Sequence, residues 1–191
     1  HGIPPNGRVD RRTLYALNVS AEARLTQLRV NINRMREQLA NGMPPRFVMV
    51  NIPAFELQAV SYGRLDIQSR VIVGRIERPS PSVGASIKAV NFFPYWHVPE
   101  SVAQKDIIPK LQKDPSYIDR EYIRPLTDWS GEEIDPTLID WHAPEAMNIK
   151  FRQDPGPHNA LGLVRMDMPN EHSVYMHDTP MKNLFGRSTR A

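Results

Sequence analysis

Cysteine is absent from the 191 residues. That excludes disulfides, thiolate metal sites and thiol chemistry from this stretch of sequence. Also absent is an apolar run of about 18 residues, the length a helix needs to cross a bilayer, so no membrane-spanning segment is expected. The net charge is only +3 and the basic residues are scattered. A concentrated basic face able to neutralise a phosphate backbone is therefore missing, and no nucleic-acid partner is expected. The chain opens on His1, with no initiator Met and no basic-then-apolar signal segment; it reads as an excerpt whose targeting information lies upstream. Internal repeats and low-complexity segments are missing as well.

What is present is an ordinary globular composition, 40% hydrophobic and 24% charged, enough for one domain or for one domain plus the remnant of a second. A mildly basic chain suits an anionic polymer such as a cell wall, and plain solubility accounts for the charge equally well.

The opening His1-Gly2-Ile3-Pro4-Pro5-Asn6-Gly7 is rich in turn formers and reads as a loop. Asp10 is placed to cap a short helix holding Thr13, Leu14, Ala16 and Leu17. Ser20 is placed to cap a second, with Leu25, Leu28, Ile32 and Met35 at helical spacing to about Leu39. Asn41-Gly42-Met43-Pro44-Pro45 ends that helix and forms a linker. Residues 46–52, 56–62 and 69–74, the last carrying Val71, Ile72 and Val73, predict a β-meander. From about residue 79 to 162 the chain is Pro-rich and irregular, too long for a simple loop. Inside it residues 101–113 have helical spacing at Val102, Ile107, Ile108 and Leu111, with Ser101 as cap. This points to a subdomain inserted between strands of the β core. Its Trp96, Trp129 and Trp141 either stack on sugar or peptide or, the reading adopted, form the subdomain's own core. Strand character returns at residues 163–168 and 173–177.

The run Val174-Tyr175-Met176-His177-Asp178-Thr179-Pro180, followed by Asn183-Leu184-Phe185 and Arg187-Ser188-Thr189-Arg190-Ala191, resembles the catalytic stretch of peptidoglycan L,D-transpeptidases with a YkuD-type domain, specifically the YcbB-like subgroup. Val50-Asn51-Ile52-Pro53-Ala54-Phe55-Glu56-Leu57, then Val73-Gly74, residues 99–113 and residues 154–162 fall in the same family's order. The resemblance implies an α+β chain: a mostly β YkuD-type core with an inserted capping subdomain, preceded by short helices from a peptidoglycan-binding module. Residues 1–19 would end that module, 20–45 would form a connecting helix and linker, and 46–191 an incomplete catalytic domain with its capping insertion at about 94–158.

The implied activity is formation of 3-3 cross-links in the periplasm. A thiolate attacks the third residue of a tetrapeptide donor stem, and an acceptor amine resolves the thioester. No cofactor is implied. A thiol of pKa near 8.5 needs a neighbouring base at neutral pH, and the family places that histidine at His177. Its Cys-bearing motif would lie shortly past Ala191, so the chain as given is expected to be inactive. A non-catalytic peptidoglycan-binding fragment is the alternative. Tyr175, on the same strand face as His177, either lines the cleft or packs structurally. Asn159 and Arg190 are further substrate-binding candidates, against a turn role for residues 155–162 and an ordinary exposed role for Arg187 and Arg190. Asp178 follows His177 directly, so its side chain points to the other face and is not expected to orient the imidazole. His158, His172, His177 and Asp178 supply ligand types, but none of the tight spacings of a zinc site occurs, and no metal is expected.

Overall fold

The computed structural model describes residue 3 and residues 6–40, 42–187 and 189–191. The reading of His1, Gly2, Pro4, Pro5, Asn41 and Ser188 lies outside the described residues. The chain divides into two compact units, His1–Ser80 with Asn183–Ala191, and Pro81–Lys182.

In the first unit, Asn6 Oδ1 accepts from the Arg8 amide beside Gly7, which has φ +70°, closing the expected turn. Helix α1 (Arg11–Leu17) starts where the Asp10 carboxylate accepts from the Thr13 amide at 2.9 Å. Helix α2 (Ala21–Leu39) starts where Ser20 Oγ accepts from the Ala23 amide at 3.2 Å. Each cap satisfies one of the backbone donors a helix leaves unpaired.

Strands β1 (Arg46–Asn51), β2 (Glu56–Ser61) and β3 (Arg64–Arg70) form an antiparallel meander. The third strand is not residues 69–74. Tyr62 and Gly63 both have positive φ, 51° and 78°, the geometry of a two-residue hairpin turn whose twist matches that of the strands. Ser61 therefore pairs with Arg64, and the strand is spent by Arg70. Val71 to Val73 bond elsewhere: the Val71 carbonyl accepts from Arg190 Nε, and the Val73 amide donates to the Arg190 carbonyl.

The second unit is built on β4 (Ala89–Phe92), β8 (Val164–Asp167) and β9 (Met176–His177), antiparallel in the order β4-β8-β9. The stretch expected as a strand over 173–177 is paired only at its last two residues, because Ser173 adopts φ +52° and breaks the extension. Between β4 and β8 lies a second sheet, β5 (Trp96–His97), β7 (Lys150–Gln153) and β6 (Ile123–Leu126), in the order β5-β7-β6.

A helical run packs on this second sheet: α3 (Glu100–Val102), a π turn (Ala103–Ile107) and α4 (Ile108–Leu111), with α5 (Tyr117–Arg120) following. The run begins at Glu100 with Pro99 at its cap, so Ser101 sits inside it and caps nothing. Pro109 explains the π turn. It has no N–H for the carbonyl four residues back, and the widened turn before it, closed by the Ile108 amide on the Ala103 carbonyl, relieves the clash.

Val98, Ile107, Ile108, Leu111, Ile118, Trp141 and Phe151 are buried together, with Trp96 packed partly against them. Each such side chain contributes roughly 1.5–3 kcal/mol by leaving water. Trp129 does not join this core. It is 47% exposed and meets only the edge of His97 among ring contacts, because the loop that carries it folds over the sheet's opposite side.

Candidate active site

Strand alternation turns Met176 to one face of β9 and Tyr175 and His177 to the other. The Tyr175 and His177 ring centroids lie 5.9 Å apart, edge to face. Register places His177 opposite Arg165, and Arg165 opposite Asn91, so the three share one row. The Arg165 guanidinium stands 5.2 Å from the Tyr175 ring and donates to both Asp167 oxygens at 2.6 and 3.2 Å, while Asn91 donates to Asp167 Oδ2 at 2.6 Å. Sequence reasoning missed Arg165, Asp167 and Asn91. The signal was the alternation Val164-Arg165-Met166-Asp167, which puts both charges on the face of His177.

His177 Nδ1 meets the backbone carbonyl of Asp178. A carbonyl only accepts, so the contact selects the tautomer with the proton on Nδ1, whose lone pair is on Nε2. The imidazole, itself exposed, is thus held through its inner nitrogen. The Asp178 carboxylate plays no part in this and accepts from the Leu163 amide at 3.1 Å, while the Asp178 amide donates to the Val164 carbonyl at 2.8 Å. Burial pushes the Asp178 carboxyl up, but amide bonds from Leu163 and Thr179, with Lys182 and His177 nearby, outweigh it and hold the group below the usual carboxylate range. Gly162, at φ +62°, lies directly beneath: a Cβ there would fall 2.5 Å from Asp178 Oδ2 and 2.7 Å from its carbonyl carbon.

Burial raises the Tyr175 hydroxyl above its ordinary range against the opposing influence of Arg165 and of a hydrogen bond with Trp96. The phenol stays neutral at any working pH. Asn159 is 1% exposed, and its amide is spent on backbone: Nδ2 donates to the carbonyls of Pro94 at 3.1 Å and Asp154 at 3.0 Å, and Oδ1 accepts from the Leu161 amide at 2.8 Å. It holds the segment that carries Gly162.

Arg190, in the other unit, is 8% exposed and is the only buried described residue there. Its guanidinium donates to the carbonyls of Val71, Arg187 and Phe55 at 3.1, 2.7 and 2.9 Å. Each of the two side chains is thus engaged with backbone groups of its own unit. His158 stacks on Tyr122, and His172 stands 3.5 Å from Glu171. Among the described residues no three His, Asp or Glu side chains gather in a way that could hold a metal.

Residues 45–191 match the profile of the YkuD L,D-transpeptidase catalytic domain. The chain belongs to this L,D-transpeptidase family. It is also 36% identical over 192 residues to a Haemophilus influenzae protein provisionally named an L,D-transpeptidase; the match takes in 95% of the chain but only 37% of that relative's length. The mixed helix and sheet architecture agrees with membership of the YkuD family. Among the described residues no helix is long and apolar enough to cross a membrane.

Proposed function

We propose that the chain carries the base and substrate cleft of a peptidoglycan L,D-transpeptidase of the YcbB-like subgroup, forming 3-3 cross-links in the bacterial periplasm. The observation that carries this is the His177 ring, pinned through Nδ1 by the Asp178 carbonyl. In the proposed cycle Nε2 takes the proton of a cysteine thiol. The thiolate attacks the carbonyl of the donor stem's third residue, and the imidazolium returns the proton to the departing D-alanine amine, leaving a thioester. The amine of an acceptor stem then attacks, Nε2 takes its proton, and the thiolate is released with a new amide bond formed. Tyr175 lines the donor groove as a neutral hydrogen-bond donor, while Asn159 and Arg190 act by bracing backbone, each within its own unit.

The 191 residues contain no cysteine, so in this reading the thiol comes from sequence outside them and the chain alone forms no thioester. Residues 46–191 belong to the catalytic domain with a capping insertion at about 94–158, residues 20–45 are a connecting helix and linker, and residues 1–19 derive from a peptidoglycan-binding module. The lack of a cysteine also favours a second reading, a wall-binding fragment without catalysis. Incubating the purified chain with disaccharide tetrapeptide and searching for thioester or cross-linked product by mass spectrometry tests the assignment. No covalent product is expected, and turnover would overturn the placement of the nucleophile.

A further inference from the structure

The sheet β5-β7-β6 has two unlike sides. Trp96, Phe151, Gln153 and Ile123 face the core, and alternation sends His97, Arg152 and Arg124 to the other side, where register sets them in a single row. The loop after β6 folds back over that row. Glu133 Oε1 accepts from Arg152 at 3.2 Å, and Trp129 stands edge-on to His97 at 5.1 Å while 47% exposed. Tyr95, also 47% exposed, lies 4.8 Å from the Arg152 guanidinium. Single exposed aromatics are ordinary, but several braced on one face are a recurring mark of a binding surface.

The charges on this side select the ligand. Arg124 is bound to Asp154 at 2.9 Å and stands 3.6 Å from Glu133, which also holds Arg152. Two cations meet two carboxylates, leaving little field to attract an anion. Burial, then the nearby Arg152 and Arg165, keep the His97 ring below its ordinary range and so neutral near pH 7. What is left is an uncharged surface of fixed aromatic planes bordered by polar groups held in ion pairs.

We propose that this side of the β5-β7-β6 sheet is a glycan-binding platform, on which Trp129 and Tyr95 stack the uncharged amino-sugar backbone of the wall polymer. The apolar C–H face of a pyranose covers an aromatic plane, and its hydroxyl and acetamido groups reach the ion-paired side chains. The inference rests on the reading of the chain as a peptidoglycan enzyme, extending it from the stem peptide to the glycan.

The test is an NMR titration of the 191-residue chain with a neutral N-acetylglucosamine tetrasaccharide, and separately with free stem tetrapeptide. Expected are saccharide-dependent shifts of the Trp129 indole N–H and an affinity unchanged by added salt. Trp129→Ala should weaken binding about tenfold or more, a loss of roughly 1.4 kcal/mol, while Trp129→Phe keeps most of it. Both variants replace a half-exposed side chain, and the spectrum reports whether each still folds. Absence of saccharide binding, unchanged affinity in a folded Trp129→Ala chain, or affinity that collapses with salt would overturn the proposal. Saccharide binding without stem binding would leave the platform standing and count against the stem cleft; the reverse would do the opposite.

Discussion

Replacing Gly162 by alanine should damage stability and the orientation of His177, the proposed base, together. Gly162 has φ +62°, and its added Cβ would sit 2.5 Å from Asp178 Oδ2, 2.6 Å from Cγ and 2.7 Å from the carbonyl carbon. The positive φ costs about 1–2 kcal/mol for an L side chain, and forcing extra carbon into a filled site typically costs about 1–3 kcal/mol more, giving about 2–5 kcal/mol in all. Side-chain rotation relieves only part of this, since one of the close atoms is backbone. Asp178 must move as a residue, yet its amide is bonded to Val164 and its carboxylate to the Leu163 amide. Because the Asp178 carbonyl also holds His177 Nδ1, moving it frees the imidazole. Urea unfolding measures the stability, and 15N spectra of the His177 ring report the tautomer. Stability within about 0.5 kcal/mol of wild type, together with unchanged ring signals, would refute the reasoning.

Further outcomes follow from the same contacts. Arg190→Ala removes the guanidinium donor from the Val71 and Arg187 carbonyls and leaves the Phe55 carbonyl only the Val71 amide, and a loss of about 1–3 kcal/mol is expected in thermal unfolding. Asn159→Ala leaves the buried Leu161 amide and the Pro94 carbonyl without their side-chain partner and should cost about 1–3 kcal/mol, read by denaturant titration. The Asp178 carboxyl is held below its ordinary range. Its contribution is complete above the unfolded pKa near 3.9 and is lost as pH falls through the lower folded value, so Asp178→Ala should flatten stability against pH on the acid side of about pH 4. The His97 ring is likewise held below its ordinary range, by burial and then by Arg152 and Arg165. The stability linked to it is complete above the unfolded pKa near 6.5 and declines as pH falls toward the folded value; melting curves of His97→Gln should lack that decline.

The helices were legible because their signals are local: Asp10 and Ser20 are capping side chains directly before periodic apolar residues. The first two strands, expected over 46–52 and 56–62 and found over 46–51 and 56–61, were legible from short apolar runs such as Phe47-Val48-Met49-Val50. The third was not, because Tyr62-Gly63 is an uncommon turn pair, and because Val71 and Val73 are satisfied by Arg190, far away in sequence. Ser101 misled for a related reason: its cap-like position lies inside a run that Pro99 begins and Pro109 distorts. At the site, the shared face of Tyr175 and His177 followed from alternation alone. The Asp178 carbonyl contact and the Gly162 approach depend on how the 162–164 turn meets β9, a tertiary fact with no local pattern.

The most direct test is the rate of thioester formation on disaccharide tetrapeptide, followed by intact-protein mass spectrometry, in the full gene product with and without His177→Ala. The expected result is an acyl adduct on a cysteine outside residues 1–191, with acylation slowed by about 100-fold or more when the base is removed. An adduct that forms at the same rate in His177→Ala, or that sits on a residue within the 191, would contradict the assignment of His177 as the base of an L,D-transpeptidase.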